Sequence, residues 1–233
     1  MNLELKGRLK LIADKVPVCS VVADIGTDHA YIPVYLIQQE KCCYAIASDV
    51  KPGPIQVANR NISKYKLSDK IETRMGSGLE TLKENEADAV IIAGMGGTLL
   101  AELLDAHPEK VSGNTLLVLQ PMNDLHVVRK WLYDNRFEIR DEELIAEGNK
   151  IYCVLTASYN GKYKEYNDFE LHVGELLIEK RDPLLQAYCK MKASQIDRVL
   201  KQLSYMKDNE ELLEYHVALK QCYVELGKNL QVE

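Results

Sequence analysis

Seven strand-like segments, at residues 19–23, 44–47, 71–75, 89–93, 116–119, 137–146 and 151–159, several of them short apolar runs and the last two longer, punctuate the first two thirds of the chain. Helical periodicity fills most of the gaps. Leu5, Leu9, Ile12 and Val16 share one face before the first run, and segments 30–39, 55–65, 98–106 and 125–135 repeat the pattern. Short strands that are apolar on both faces and alternate with helices bury themselves as a parallel sheet covered on each side. The fold class is therefore predicted to be α/β. The last two runs flank the turn signal Glu147-Gly148-Asn149 and read as an antiparallel hairpin at the sheet's edge.

A chain of 233 residues, 46% of them hydrophobic, has room for one sizeable core and an appendage. The composition changes after "SYNGKYKEYND". Ile196, Val199, Leu203 and Met206 form one narrow seam at helical spacing, and Leu212, His216, Leu219, Tyr223, Leu226 and Leu230 form another. Two such helices separated by "KDNEE" are predicted to pair as an antiparallel coiled-coil hairpin, with His216 as a packing residue. The expected division is 1–160 for the sheet and 161–233 for the helical domain. Six cysteines show no C-x-x-C pair and no histidine at ligand spacing, so reduced thiols and no metal site are expected. The first ten residues lack a signal-peptide apolar region, and the most apolar run, "AVIIAGMGGTLLAELL", is broken by three glycines. A cytoplasmic protein with no membrane partner is expected.

Ligands of an open parallel sheet bind beyond the carboxyl ends of its strands. There, "VVADIGTDHAYIP" offers Asp24 and Gly26 like the start of a dinucleotide loop, but Asp28 and Ala30 stand where further glycines would be. Asp49 closes the second strand, 25 residues beyond Asp24, where a carboxylate can accept from both hydroxyls of a ribose. An adenosine is indicated. A pyrophosphate is not, because two like charges about 4 Å apart repel by roughly 4 kcal/mol at an effective dielectric near 20. S-adenosylmethionine has the adenosine, no phosphate, and an ammonium and a sulfonium that carboxylates attract. Asp28 is also placed to cap the following helix, and Gly26 and "GMGG" also suit ordinary tight turns.

"DIGTDHAYIP" and "AGMGG", together with "ASDVKPGP" and "LQP" before a Trp-Leu helix, resemble the bacterial tRNA (adenine-22-N1)-methyltransferases over nearly the whole chain. The resemblance implies a Rossmann-like class I fold, S-adenosylmethionine as cofactor, and methylation of N1 of an adenine in the D-arm region of tRNA. It implies roles as well. Asp24, Gly26, Asp28 and His29 would line the methionine end of the cofactor, and Asp49 would hold the ribose with Val50 beside the adenine. Gly76 and Ser77 would approach the adenine edge, and Ala93, Gly94 and Met95 would floor the site near the methyl group. One departure is visible: Met75-Gly76-Ser77-Gly78 lacks the acidic residue that such enzymes often carry after the third strand. Asp28, helped by His29 or Tyr31, is expected to offset the positive charge that develops on the methylated ring.

The formal net charge of −6 argues mildly against a nucleic-acid partner, but its distribution does not. Residues 180–207 carry seven Lys and Arg against two Asp. Lys190, Lys192, Arg198 and Lys201 there, and Lys6, Arg8 and Lys10 in the first helix, are expected to form two basic faces that meet tRNA. The pattern is compatible with a monomer or with association through the hairpin. Two alternatives stay open: a small-molecule methyltransferase whose appendage is a lid or dimer element, and a non-catalytic RNA-binding protein on the same fold.

Overall fold

The computed structural model describes residues 2–206 and 209–230; Lys207, counted above among the basic residues, lies outside them. One seven-stranded sheet has the order β3-β2-β1-β4-β5-β7-β6. Its strands are β1 (Cys19–Ile25), β2 (Cys42–Asp49), β3 (Ile71–Met75), β4 (Ala89–Met95), β5 (Leu116–Pro121), β6 (Phe137–Glu147) and β7 (Lys150–Tyr159). The first five run parallel, and β7 lies antiparallel between β5 and β6. Strand order reverses between β1 and β4, so a crevice opens beyond their carboxyl ends.

Side-chain alternation along each strand feeds two cores. Val22, Ala45, Ile91 and Val118 pack with α1 (Gly7–Lys15), α2 (Tyr31–Gln38) and α3 (Pro52–Lys64). Their neighbours Ala23, Ile46, Ile92 and Leu119 pack on the other face with α4 (Gly97–Ala106) and α5 (Leu125–Asp134). The chain then forms α6 (Asp168–Val173), α7 (Glu175–Glu179), α8 (Leu185–Leu203) and α9 (Glu210–Asn229). The first two of these were not anticipated, although α6 carries a capping signal in "NDFE". The Asn167 side chain accepts from Glu170 N at 2.8 Å, and the Glu170 carboxylate accepts from Asn167 N at 3.1 Å.

The helical hairpin is not hung on the sheet by a linker. Leu185, Tyr188, Cys189, Ala193, Ile196, Leu219 and Tyr223 are buried in the same cluster as α4 and α5. Its seam is shorter than expected: Met206 is 63% and Leu212 46% exposed. The reason is geometric. Helix α8 ends at Leu203, so Met206 lies in the turn beyond it, and Leu212 falls in the first turn of α9. His216 is half-buried, with Nδ1 2.8 Å from Leu212 O.

Arg129 makes the junction. Its fully buried guanidinium donates through Nε to Glu142 Oε1 at 2.7 Å, through Nη1 to Leu171 O at 2.6 Å, and through Nη2 to Val173 O at 3.1 Å. It thereby ties α5 and β6 to the last carbonyls of α6, groups that a helix leaves without intrahelical partners. Gly174 must be glycine there, since φ is +101° and a Cβ would stand 2.4 Å from Arg129 Nη2. Among the described residues all six cysteines are free, and no helix is long and apolar enough to cross a membrane.

Candidate active site at the strand ends

A cavity of about 350 Å³ opens at the carboxyl ends of β1 and β4. Asp24, Gly26, Thr27, Asp28, His29 and Tyr31 form one wall, Ala93 and Gly94 another, and Gln120 and Arg8 close it from β5 and α1. Main-chain bonds fix the first wall. Gly26 N and Thr27 N both donate to Ser48 O at 2.8 Å, which stitches the loop to the end of β2. Gly26 has φ +78°, and a Cβ there would lie 2.0 Å from Met95 Cε. Thr27 Oγ1 accepts from Ala30 N at 3.2 Å, making the turn that enters α2.

That turn settles the capping role expected as an option for Asp28. The N-cap position is Ala30, with φ 54°, and Asp28 keeps its side chain 75% exposed at the cavity. His29 Nε2 lies 2.9 Å from Asp28 Oδ2, and the His29 ring stacks on Tyr31 at 5.0 Å. The three residues act as one surface: a carboxylate backed by two stacked rings.

Asp24 is only 7% exposed. Burial pushes its pKa up to about 6, the Thr27 hydrogen bond opposes that rise, and the Asp49 charge adds to it. Relative to the ordinary value of 3.8 the shift corresponds to about 3 kcal/mol of unfavourable ionisation. A cation at this carboxylate would reverse the penalty, whereas a phosphate would meet two acids.

Asp49, Val50, Gly76 and Ser77 lie outside the cavity wall on adjoining strand ends. Asp49 Oδ1 accepts from Lys51 N at 2.7 Å, and Gly76 N donates to Asp49 O at 3.2 Å, which brings the ends of β2 and β3 side by side. Val50 is 60% exposed beside them. The departure noted after the third strand is answered by folding: Glu80, in the 3₁₀ turn Gly78–Thr81, returns its carboxylate to accept from Ser77 N. Met95 is half-buried and packs over Gly26. Among the described residues no group of three His, Cys, Asp or Glu is placed to hold a metal ion.

A family model described as a methyltransferase domain matches residues 5–155. The chain is 36% identical over 214 residues to the tRNA (adenine(22)-N(1))-methyltransferase of Bacillus subtilis, covering 90% of each protein. The chain belongs to the tRNA (adenine-22-N1)-methyltransferase family. The crystal structure of the B. subtilis member, TrmK, matches with a TM-score of 0.84 at 33% identity, over 98% of this chain and 99% of that one. TrmK of M. capricolum, in complex with S-adenosyl-homocysteine, matches at a TM-score of 0.78 and 26% identity over 98% of each chain. Both likenesses extend through the helical appendage, so the hairpin is part of the family fold.

The basic residues fare unevenly against the two basic faces expected from the charge distribution. Lys6, Lys190, Arg198 and Lys201 are exposed. Lys192 is half-buried, with Nζ 5.4 Å from the Tyr188 ring centroid, and burial followed by the nearby Arg129 charge lowers its pKa. Lys10 pairs with Asp14 at 2.5 Å, and Arg8 turns into the cavity, where Nη1 donates to Gln120 Oε1 at 2.8 Å. The two basic clusters also sit on opposite faces of the sheet, because α1 belongs to one core and the hairpin to the other. Thr27 and Gln120 stand at strand ends where the sequence points to ligand contacts, but no role was expected of either. Their signals were a hydroxyl three residues before Ala30 and a polar residue closing the apolar run "LLVLQ".

Proposed function

We propose that this chain transfers a methyl group from S-adenosylmethionine to N1 of adenine 22 in tRNA. The observation that carries the reading is Asp24, a buried carboxylate made costly to ionise and facing a strand-end cavity that a second acid, Asp28, makes unsuited to phosphate. The cofactor, when bound, supplies an electrophilic methyl on a sulfonium centre. Asp24 would hold its ammonium, with Gly26 leaving the approach open. Asp49 would accept from the ribose hydroxyls, Val50 and Gly76-Ser77 would border the adenine, and Ala93, Gly94 and Met95 would floor the methyl group.

Adenine N1 already carries an in-plane lone pair, so the chain's task is placement more than deprotonation. The ring gains positive charge as the bond forms. Asp28, held against His29 and Tyr31, would offset that charge and orient the base. The target adenine must leave its stack to reach the cavity. Lys190, Arg198 and Lys201 would meet tRNA phosphates on the hairpin side, and an RNA that also touched Lys6 would straddle the carboxyl edge of the sheet. The protein would act in the cytoplasm.

The direct experiment incubates the full chain with unmodified tRNA and methyl-labelled cofactor, then digests the RNA and identifies the labelled nucleoside. Label in 1-methyladenosine at position 22, absent from a transcript with guanine there, is the expected result. Label in another nucleoside, or none, contradicts the proposal.

A further inference from the structure

The segment "AGMGG" at the end of β4 has no oxygen or nitrogen in its side chains, so the polar edge of a base lying over it must be met from a neighbouring loop. The end of β5 is that neighbour. Met122 N donates to Met95 O at 2.7 Å, and the two loops interlock beyond this bond: a Cβ at Gly97 would stand 2.3 Å from Asp124 O, and one at Gly96 would stand 3.0 Å from Asn123 Oδ1. Gly94 differs. Nothing lies within 4 Å of where its Cβ would be, so the floor is open there. Asn123 is exposed two residues further along this floor, against Gly96. Its Oδ1 accepts from Gly97 N at 3.3 Å, which orients the amide, while its Nδ2 has no hydrogen-bond partner among the described residues. An asparagine held in this way presents an acceptor with a spare lone pair beside two unused donors.

We propose that Asn123 reads the target adenine along its Hoogsteen edge, with Oδ1 accepting from the N6 amine and Nδ2 donating to N7. This rests on the methyltransferase reading above. The reaction dictates the edge. N1 must point at the methyl carbon, which leaves N7 and the outer hydrogen of N6 for recognition, and an asparagine amide matches that donor and acceptor bidentately. Guanine carries O6 in place of the amine and would set one acceptor against another. The same contact strengthens during the reaction. The N1 lone pair forms the bond to the methyl carbon as the carbon–sulfur pair returns to sulfur, and the charge left on the ring spreads to the amine. Its N–H then becomes a stronger donor to Oδ1, so Asn123 holds the transition state more tightly than the ground state. Asn123 thus supplies from β5 the polar contact that the β4 segment lacks.

The test is single-turnover methylation by the full chain, at saturating cofactor, of two tRNAs: one with adenine at position 22, and one with 7-deazaadenine there, which keeps N1 and N6 but replaces N7 by C–H. Asn123→Asp keeps the acceptor for Gly97 N and for N6 while setting a carboxylate against N7. It should slow the adenine tRNA roughly 10- to 100-fold and the 7-deazaadenine tRNA far less. Asn123→Ala should slow both, the adenine tRNA more. Cofactor affinity, measured by calorimetric titration, should not move. Equal slowing of both tRNAs in the Asp variant overturns the proposal and reduces Asn123 to a cap on α4. Unchanged rates in both variants, or a loss confined to cofactor affinity, also overturn it. A wild-type chain that methylates neither tRNA overturns the methyltransferase reading itself.

Discussion

The strand-end cavity and the helical hairpin hold their candidate side chains by different means. At the strand ends the main chain does the holding: Gly26 and Thr27 bond to Ser48 O, Gly76 bonds to Asp49 O, and glycine is required where Met95 crosses Gly26. On the hairpin, Lys190, Arg198 and Lys201 are exposed on helix α8, whose opposite side is buried from Leu185 to Leu203. Positions of the first kind tolerate little change in backbone or charge. Those of the second kind depend on how firmly the helix is anchored and little on any one neighbour.

Breaking the anchor should produce the largest effect. Arg129→Ala leaves Glu142 buried without its partner and takes the side-chain donor from Leu171 O and Val173 O, while His172 O keeps the Tyr223 hydroxyl, so stability should fall by about 3–5 kcal/mol. Urea denaturation reads this directly. A loss below about 1 kcal/mol would mean that sheet and hairpin are joined elsewhere. A smaller effect, confined to the strand ends, is expected of Asp49→Ala: cofactor affinity should drop by about 1.5–3 kcal/mol while the fold stays intact, because the ribose loses a charged acceptor. Unchanged affinity in the folded variant would remove Asp49 from the site.

The hairpin surface should respond in RNA binding alone. Charge reversal of Lys190, Arg198 and Lys201 to Glu should lower tRNA affinity, and the slope of log affinity against log salt should shrink by roughly 0.7–0.9 for each phosphate that is no longer neutralised. Cofactor affinity should not move. If tRNA binding and its slope survive, the RNA docks elsewhere and the division of labour between the regions fails. Smallest of all is Lys10→Gln. Lys10 belongs to an exposed pair with Asp14, so stability and tRNA affinity should each change by less than about 0.5 kcal/mol. A larger loss of tRNA affinity would restore Lys10 to the RNA surface.

The same contrast explains what could be read from the chain. Asp24, Gly26, Asp28 and Gly94, which line the cavity, were legible as candidates because they stand at or just beyond strand ends, and strand ends in a parallel sheet are where ligands bind. The strands were legible too, since a doubly covered sheet writes itself as apolar runs. What escaped was made by partners far apart in sequence. Arg8 meets Gln120 across 112 residues, and Arg129 meets Leu171 O across 42. A lysine count treats Lys190 and Lys192 alike, yet one is exposed and the other packs against Tyr188. Helical spacing likewise extended the seam to Met206 and Leu212, where α8 has already ended.

A buried, reluctantly ionised carboxylate that selects a cationic cofactor makes cofactor affinity depend on pH. Burial pushes the Asp24 pKa up to about 6, and an ammonium bound beside it would favour the ionised form. Affinity for S-adenosylmethionine should therefore be flat above about pH 7 and weaken, approaching tenfold per unit, as pH falls below about 6. Asp24→Asn should bind weakly and lose that dependence. Affinity that is level from pH 5 to 8 in the wild-type chain, or that falls identically in Asp24→Asn, would contradict the account.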